Sequence, residues 1–164
     1  VLTVTIARLN SFFGQKDLAD FDRALQSRGL EVEHLLNPKT AELKAAAKDK
    51  DAVFINIYIS PMSTMGTMRI TIDSFPTFGW RSLFTEHAQV FYTSYGTPYL
   101  LYELPHLPNL IVTYSGTPAS QKAAARFWLG EMDAVGVLPV TLPRSEIRRF
   151  VHVDDNQHTR GGHE

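Results

Sequence analysis

Few side chains in this sequence stand at a spacing that makes a reactive site. Ser115 comes nearest, in Tyr114-Ser115-Gly116-Thr117-Pro118, between a β-rich run and a helix start. A serine on a strand-to-helix turn is how one class of hydrolytic enzyme presents its nucleophile, but that elbow needs a glycine before the serine. Here that glycine is absent, and a base would have to come from His87, His106, His152 or His158. A hydroxyl that satisfies turn backbone is the simpler reading of Ser115. Glu103 is the one candidate acid near a strand end; as a catalytic acid it needs a second carboxylate across the substrate, and otherwise it is a helix-terminal glutamate. His34 alternates with apolar residues and reads as a strand histidine with its partners satisfied, and no two histidines stand four apart as metal ligands on a helix would. The loop Asn10-Ser11-Phe12-Phe13-Gly14 lacks the run of hydroxyls that would cradle a flavin phosphate. No glycine-rich nucleotide fingerprint occurs. Neither a cofactor nor a metal is expected.

The elements that must position these groups are organised around 90–118, where one pattern is written twice. Val90 to Ser94 runs into Tyr95-Gly96-Thr97-Pro98, and Leu110 to Ser115 runs into Gly116-Thr117-Pro118. Gly permits a tight turn, Thr caps a helix, and Pro suits its first position because the missing N–H has no partner there. Strand, turn and helix start make the unit of a parallel α/β sheet, whose ligand edge lies at the carboxyl ends of the strands. Earlier in the chain, strands are expected over 1–7, 30–36 and 52–59, the last of them central and buried on both faces. Helices are expected over 16–28, stopped by Gly29, and over 40–50, capped by Thr40. A brief helix is expected over 98–104, and a long one over 119–130. The run 136–143, framed by Pro139 and Pro143, reads as a final edge strand.

The stretch 60–77 holds Met62, Met65 and Met68 without a period, an adaptable packing surface or interface filler. A short aromatic helix with Phe78, Trp80 and Phe84 follows. The expected fold is a three-layer sandwich: a flavodoxin-like, mostly parallel sheet of five or six strands in the order 2-1-3-4-5, helices on both faces, over residues 1–143. Residues 144–164 form a polar tail.

At 164 residues, 44% apolar and 20% charged, the chain suits one globular domain with a real core. A net charge of -1 offers nothing to nucleic acid or to an anionic membrane, and no apolar run is long enough to span a bilayer. No leader pattern is visible; the start at Val1 is read as a processed protein or an excised domain. The absence of cysteine rules out disulfides and thiol chemistry, and leaves cytoplasmic and exported locations both open.

The order of these motifs resembles a known family. The residues that carry the resemblance are Ser94-Tyr95-Gly96-Thr97-Pro98-Tyr99, then Val112-Thr113-Tyr114-Ser115, then Ser120-Gln121-Lys122-Ala123-Ala124-Ala125, and finally Gly136-Val137-Leu138-Pro139-Val140-Thr141-Leu142-Pro143. The strand Asp51 to Asn56 fits as well. Together they resemble the carboxyl-terminal α/β sandwich domain of glycoside hydrolase family 3, especially its β-N-acetylglucosaminidase-like branch. The resemblance implies a preceding TIM-barrel domain that carries the aspartate nucleophile, with a barrel-borne acid/base in that branch and a sandwich-borne Glu in others. It assigns that role to none of Glu86, Glu103 and Glu131. It further implies that strand-end loops pack on the barrel and help to line the site of a β-glucoside or β-N-acetylglucosaminide. The residues placed there are Asn10, Ser60, Met62, Ser94, Gly96 and Ser115, with Trp80, Tyr95 and Tyr99 as sugar-stacking or interface aromatics. The competing reading is a stand-alone flavodoxin-like module that binds a ligand or a protein, a second copy of the chain included, without catalysis.

Overall fold

The structure is a computed structural model and describes residues 1–7, 17–58, 89–100, 107 and 109–140. Five strands form one sheet in the order β2-β1-β3-β4-β5, where β1 is Leu2–Ala7, β2 Glu33–Leu36, β3 Val53–Tyr58, β4 Val90–Tyr95 and β5 Leu110–Val112. Every pairing is parallel. The helices are α1 (Ala19–Gln26), α2 (Thr40–Ala47) and α3 (Pro118–Trp128). This is the expected flavodoxin-like α/β sandwich, with the sheet parallel throughout.

The pleat sends alternate residues to opposite faces. On one face Leu2, Val4, Ile6, Val53, Ile55, Ile57, Val90 and Tyr92 meet Leu43 and Ala47 of α2. On the other, Phe54 and Tyr95 meet Leu18, Phe21 and Leu25 around α1 and Ala124 and Ala125 of α3. Both faces of β3 are therefore covered, as its apolar run requires. Among the described residues, no helix is long and apolar enough to cross a membrane.

Helix ends differ from the sequence expectation for local reasons. The first helix starts at Ala19 rather than Lys16, because Leu18 turns left-handed (φ 53°) to bury its side chain, and the Asp17 carboxylate accepts the Ala19 N–H at 3.1 Å. Gly29 (φ 81°) stops it through paired bonds, Gly29 N–H to the Gln26 carbonyl and Leu30 N–H to the Leu25 carbonyl. That use of Leu30 delays β2 to Glu33. In α2 the capping position is Lys39, not Thr40, because the Glu42 carboxylate reaches back to the Lys39 N–H. The helix ends at Ala47 rather than Lys50, whose N–H closes a turn on the Ala47 carbonyl.

The larger departure is at 136–140. No ladder forms there; Val135 and Val137 are 91% and 92% exposed. Pro139 brings no N–H to a sheet edge, and the sheet has five strands among the described residues. The exit loop after β1, the Met-rich stretch, the aromatic helix, Glu103 and the tail lie outside the described residues.

An ion pair fastens the edge strand to the helix layer. His34 Nδ1 of β2 stands 2.6 Å from Asp22 Oδ2 of α1 and 3.1 Å from the Thr3 hydroxyl of β1. The hydrogen bond to Asp22 raises the half-buried imidazole above its ordinary 6.5, Asp17 adding its charge. A histidine raised on folding stabilises most below its unfolded pKa and loses that contribution as pH climbs through the folded value. The stability of the unsubstituted chain, measured by urea unfolding, should therefore fall between pH 6 and pH 8 by up to about 1 kcal/mol for this partly exposed pair. His34→Gln, which has no proton to lose, should lack that component.

Candidate functional site

The carboxyl ends of parallel strands are where α/β folds bind ligands, and the described part of that edge is built by the ends of β3, β4 and β5 and the turns that follow β4 and β5. After β4 the chain turns at Gly96 (φ 104°), the Ser94 hydroxyl donates to the Thr97 carbonyl at 2.6 Å, and the Thr97 hydroxyl accepts the Tyr99 N–H at 3.2 Å. After β5, the Thr113 N–H extends the ladder to the Ser94 carbonyl at 3.0 Å. Thr117 then caps α3, its hydroxyl accepting the Ser120 N–H, with Pro118 in the first turn.

The two copies of the sequence pattern take different conformations. In the first, the glycine carries the positive φ. In the second, Tyr114 carries it (φ 57°), and Gly116 serves another purpose. A Cβ on Gly116 would lie 2.6 Å from Cε2 of Tyr58, so the glycine lets the ring at the end of β3 lie directly on the β5–α3 turn. Gln121, buried, ties this turn to the neighbouring helix: its Nε2 donates to the Gly116 carbonyl at 2.9 Å, and its Oε1 accepts the Phe21 N–H at 3.1 Å.

Beneath the edge lies a polar row. Thr5, Asn56 and Thr93 stand side by side in register, each almost fully buried. The Thr5 hydroxyl donates to the Asp17 carbonyl at 3.0 Å, and Trp128 Nε1–H donates to the Thr93 hydroxyl at 2.9 Å. Among the described residues the Asn56 amide has no protein partner.

The structure separates the residues named from sequence. Tyr99 is 39% exposed on the edge. Ser115 is half-buried; its Oγ accepts the Thr117 N–H at 3.2 Å, the turn-satisfying role expected of it. The one described histidine, His34, is engaged at the far side of the sheet. Gly96 is partly exposed in its turn. Tyr95 and Ser94, expected to stack on sugar or line an interface, are 0% exposed: Tyr95 belongs to the core against α1 and α3, and burial pushes its phenol far up. The strand continues one residue further than expected and turns Tyr95 inward. Asn10, Ser60, Met62, Trp80 and Glu103 lie outside the described residues.

Sequence reasoning missed Tyr58, Tyr114 and Gln121. Tyr58 is legible as the last aromatic of an apolar run, and Tyr114 as the aromatic two residues before the second Gly-Thr-Pro; Gln121 stands in a motif that carries the resemblance, but nothing in the sequence marks it as a tie to the turn at Gly116. Among the described residues no cluster of acidic and histidine side chains could hold a metal ion. A cavity of about 360 Å³ opens at the opposite, amino edge between Val1, Glu31, Val32, Glu33, Asp49, Lys50 and Asp51, where Lys50 pairs with Glu33 at 2.7 Å.

No protein-family model matches the sequence, and no curated protein matches it either. Solved structures do match. A fungal multi-domain family 3 β-N-acetylglucosaminidase, described as carrying a GCN5-related glucosamine N-acetyltransferase region, aligns with 87% of this chain at TM-score 0.64 and 20% identity. A family 3 β-N-acetylglucosaminidase from Paenibacillus sp. str. FPU-7 aligns with 84% at TM-score 0.64 and 19% identity. The β-glucoside phosphorylase BglX aligns with 80% at TM-score 0.60 and 20% identity. The chain shares their fold. It spans only 16%, 26% and 24% of those chains respectively, the size of one domain in a larger protein.

The contact between Tyr58 and Gly116 gives a direct test. Gly116→Ala should displace the Tyr58 ring and cost about 1–3 kcal/mol, the range for overpacking. Thermal unfolding and the Tyr58 ring resonances would report it; an unmoved ring with unchanged stability would contradict the contact.

Proposed function

We propose that this chain is an accessory α/β domain of a family 3 type glycosidase, with its carboxyl edge turned toward a TIM-barrel domain that holds the reacting carboxylates. The observation that carries this reading is the likeness to three solved enzymes over 80–87% of the chain, in each of which the matched part is a minor fraction. The motif order from Gly96-Thr97-Pro98 to Leu138-Pro139 supports it independently.

The substrate class follows from the same neighbours: β-linked glucosides or N-acetylglucosaminides, cleaved by water or, as in a phosphorylase, by phosphate. Retaining hydrolysis needs two carboxyl groups about 5 Å apart flanking the bond. The described part of the carboxyl edge carries hydroxyls, tyrosines and turn backbone around 94–99 and 113–118, groups suited to contact and shape rather than to proton transfer at neutral pH. On this reading the domain closes one wall of the site and leaves the bond-breaking to its partner. Residues 1–143 would form that domain and the tail would lie outside it.

Turnover of 4-nitrophenyl β-glucoside and β-N-acetylglucosaminide tests the division of labour. The chain alone should show none, and a mixture with a separately produced family 3 barrel domain should show turnover. Activity of the chain alone would mean that it holds its own acid and nucleophile, and silence of the mixture would favour a stand-alone binding module.

A further inference from the structure

We propose that the Asn56 carboxamide holds a long-lived internal water between the sheet and the α1–α3 layer, bonded also to the hydroxyls of Thr93 and Tyr95. Asn56 lies near the middle of β3, the central strand, on the face that α1 and α3 cover, and is 1% exposed. Neither its Oδ1 nor its Nδ2 has a hydrogen-bond partner among the described residues. A bare amide in such a place is costly, and in native structures a protein group or an ordered water answers it.

The neighbouring side chains decide where the water sits. The ladder registers put Thr5 on one side of Asn56 and Thr93 on the other. Thr5 has spent its proton on the Asp17 carbonyl, at 3.0 Å. Thr93 is committed the other way: its oxygen accepts Trp128 Nε1–H at 2.9 Å, which leaves its own proton to donate. Two residues further along the same face of β4, the buried Tyr95 hydroxyl is also without a partner among the described residues. The open groups therefore gather between β3 and β4. Asn56 and Tyr95 can each donate and accept, and Thr93 donates. A buried water typically makes about three hydrogen bonds, and these three side chains supply them.

The packing around the row leaves room for a molecule of that size. Large rings fill the rows on either side. Phe54 stacks on Phe91 with ring centroids 5.3 Å apart and meets Phe21 edge-on at 5.6 Å, and Tyr58 lies against Gly116. The row between them is Thr5-Asn56-Thr93, all short side chains. The helices that cover this face bring Ala24, Ala124 and Ala125 to it. Polar lining is what separates a hydrated site from a dry cavity. The opposite face of β3 makes the contrast: Ile55 and Ile57 pack there against α2 with no polar group among them.

This water would be a joint in the scaffold. Through Thr93 it reaches Trp128 at the end of α3, and through Asn56 it ties that helix to the central strand. The inference does not depend on the accessory-domain reading.

Oxygen-17 relaxation dispersion of the whole chain counts waters that stay longer than the molecule tumbles, whatever its hydroxyl protons exchange with. Asn56→Leu should lower that count by about one and leave Tm equal or higher, because a leucine of similar volume needs no partner. A merely structural asparagine would lower Tm on replacement and leave the count unchanged, and that result overturns the proposal. A second reading needs no substitution and stands even if the leucine variant fails to fold. The Asn56 Nδ2 protons of the unsubstituted chain should show cross-relaxation with water of the sign that marks a long residence. Its absence, or a scalar coupling from those protons across a hydrogen bond to a protein carbonyl, overturns the proposal.

Discussion

The parallel ladder that joins β1, β3 and β4 is the constraint from which the rest of this molecule follows. Its registers run unbroken over six residues, from Leu2 beside Val53 beside Val90 to Ala7 beside Tyr58 beside Tyr95. A parallel sheet is joined by crossovers, and its central strands must be covered on both faces. Hence α2 on one side, α1 and α3 on the other, and two separate cores divided by the sheet. The order β2-β1-β3-β4-β5 reverses between β1 and β3, and sheets of this kind bind ligands at the carboxyl ends of the strands that flank such a point.

The two cores are not equivalent. The α2 side is almost wholly apolar. The side under α1 and α3 carries Thr3, Thr5, Asn56 and Thr93, and their hydroxyls reach backbone or side chains across elements: Thr5 to Asp17, Thr93 to Trp128, Thr3 to His34. Buried polar groups demand partners at set distances and angles, whereas apolar packing tolerates sliding. The polar side therefore fixes how α1 and α3 sit on the sheet, and Gln121 passes that placement on to the turn at Gly116. The shape of the carboxyl edge is set from beneath, by side chains that never reach the surface.

Much of the fold was legible in the residues. Periodicity and β-branched runs located all five strands, and Gly29 and Thr117-Pro118 marked helix ends where the structure has them. The strand order followed from the spacing of complete strand–helix units. The failures were of two kinds. The first helix starts late because Leu18 turns left-handed to bury its side chain, and the cap of α2 falls on Lys39 because Glu42 reaches back to its N–H. The strand proposed over 136–143 had suitable residues but, as far as Val140, pairs with no strand of the sheet. The candidate site was less legible. Tyr99 and Tyr95 are both tyrosines in one turn motif, and composition alone cannot say that one faces water and the other the core.

The sequence by itself determined the class of fold, the layering and the order of the strands, because these depend on alternation, turn chemistry and chain order, all local properties. Only the tertiary structure decided which residues occupy the carboxyl edge. Tyr58 meets Gly116 across 58 positions of chain, and Gln121 meets Phe21 across 100. The left-handed turn at Tyr114 exists because Thr113 and Ser115 are held by bonds to the neighbouring strand and helix cap. A repeat that looks the same twice in sequence thus becomes two different turns, since a backbone adopts a strained conformation only where surrounding contacts outweigh its local cost.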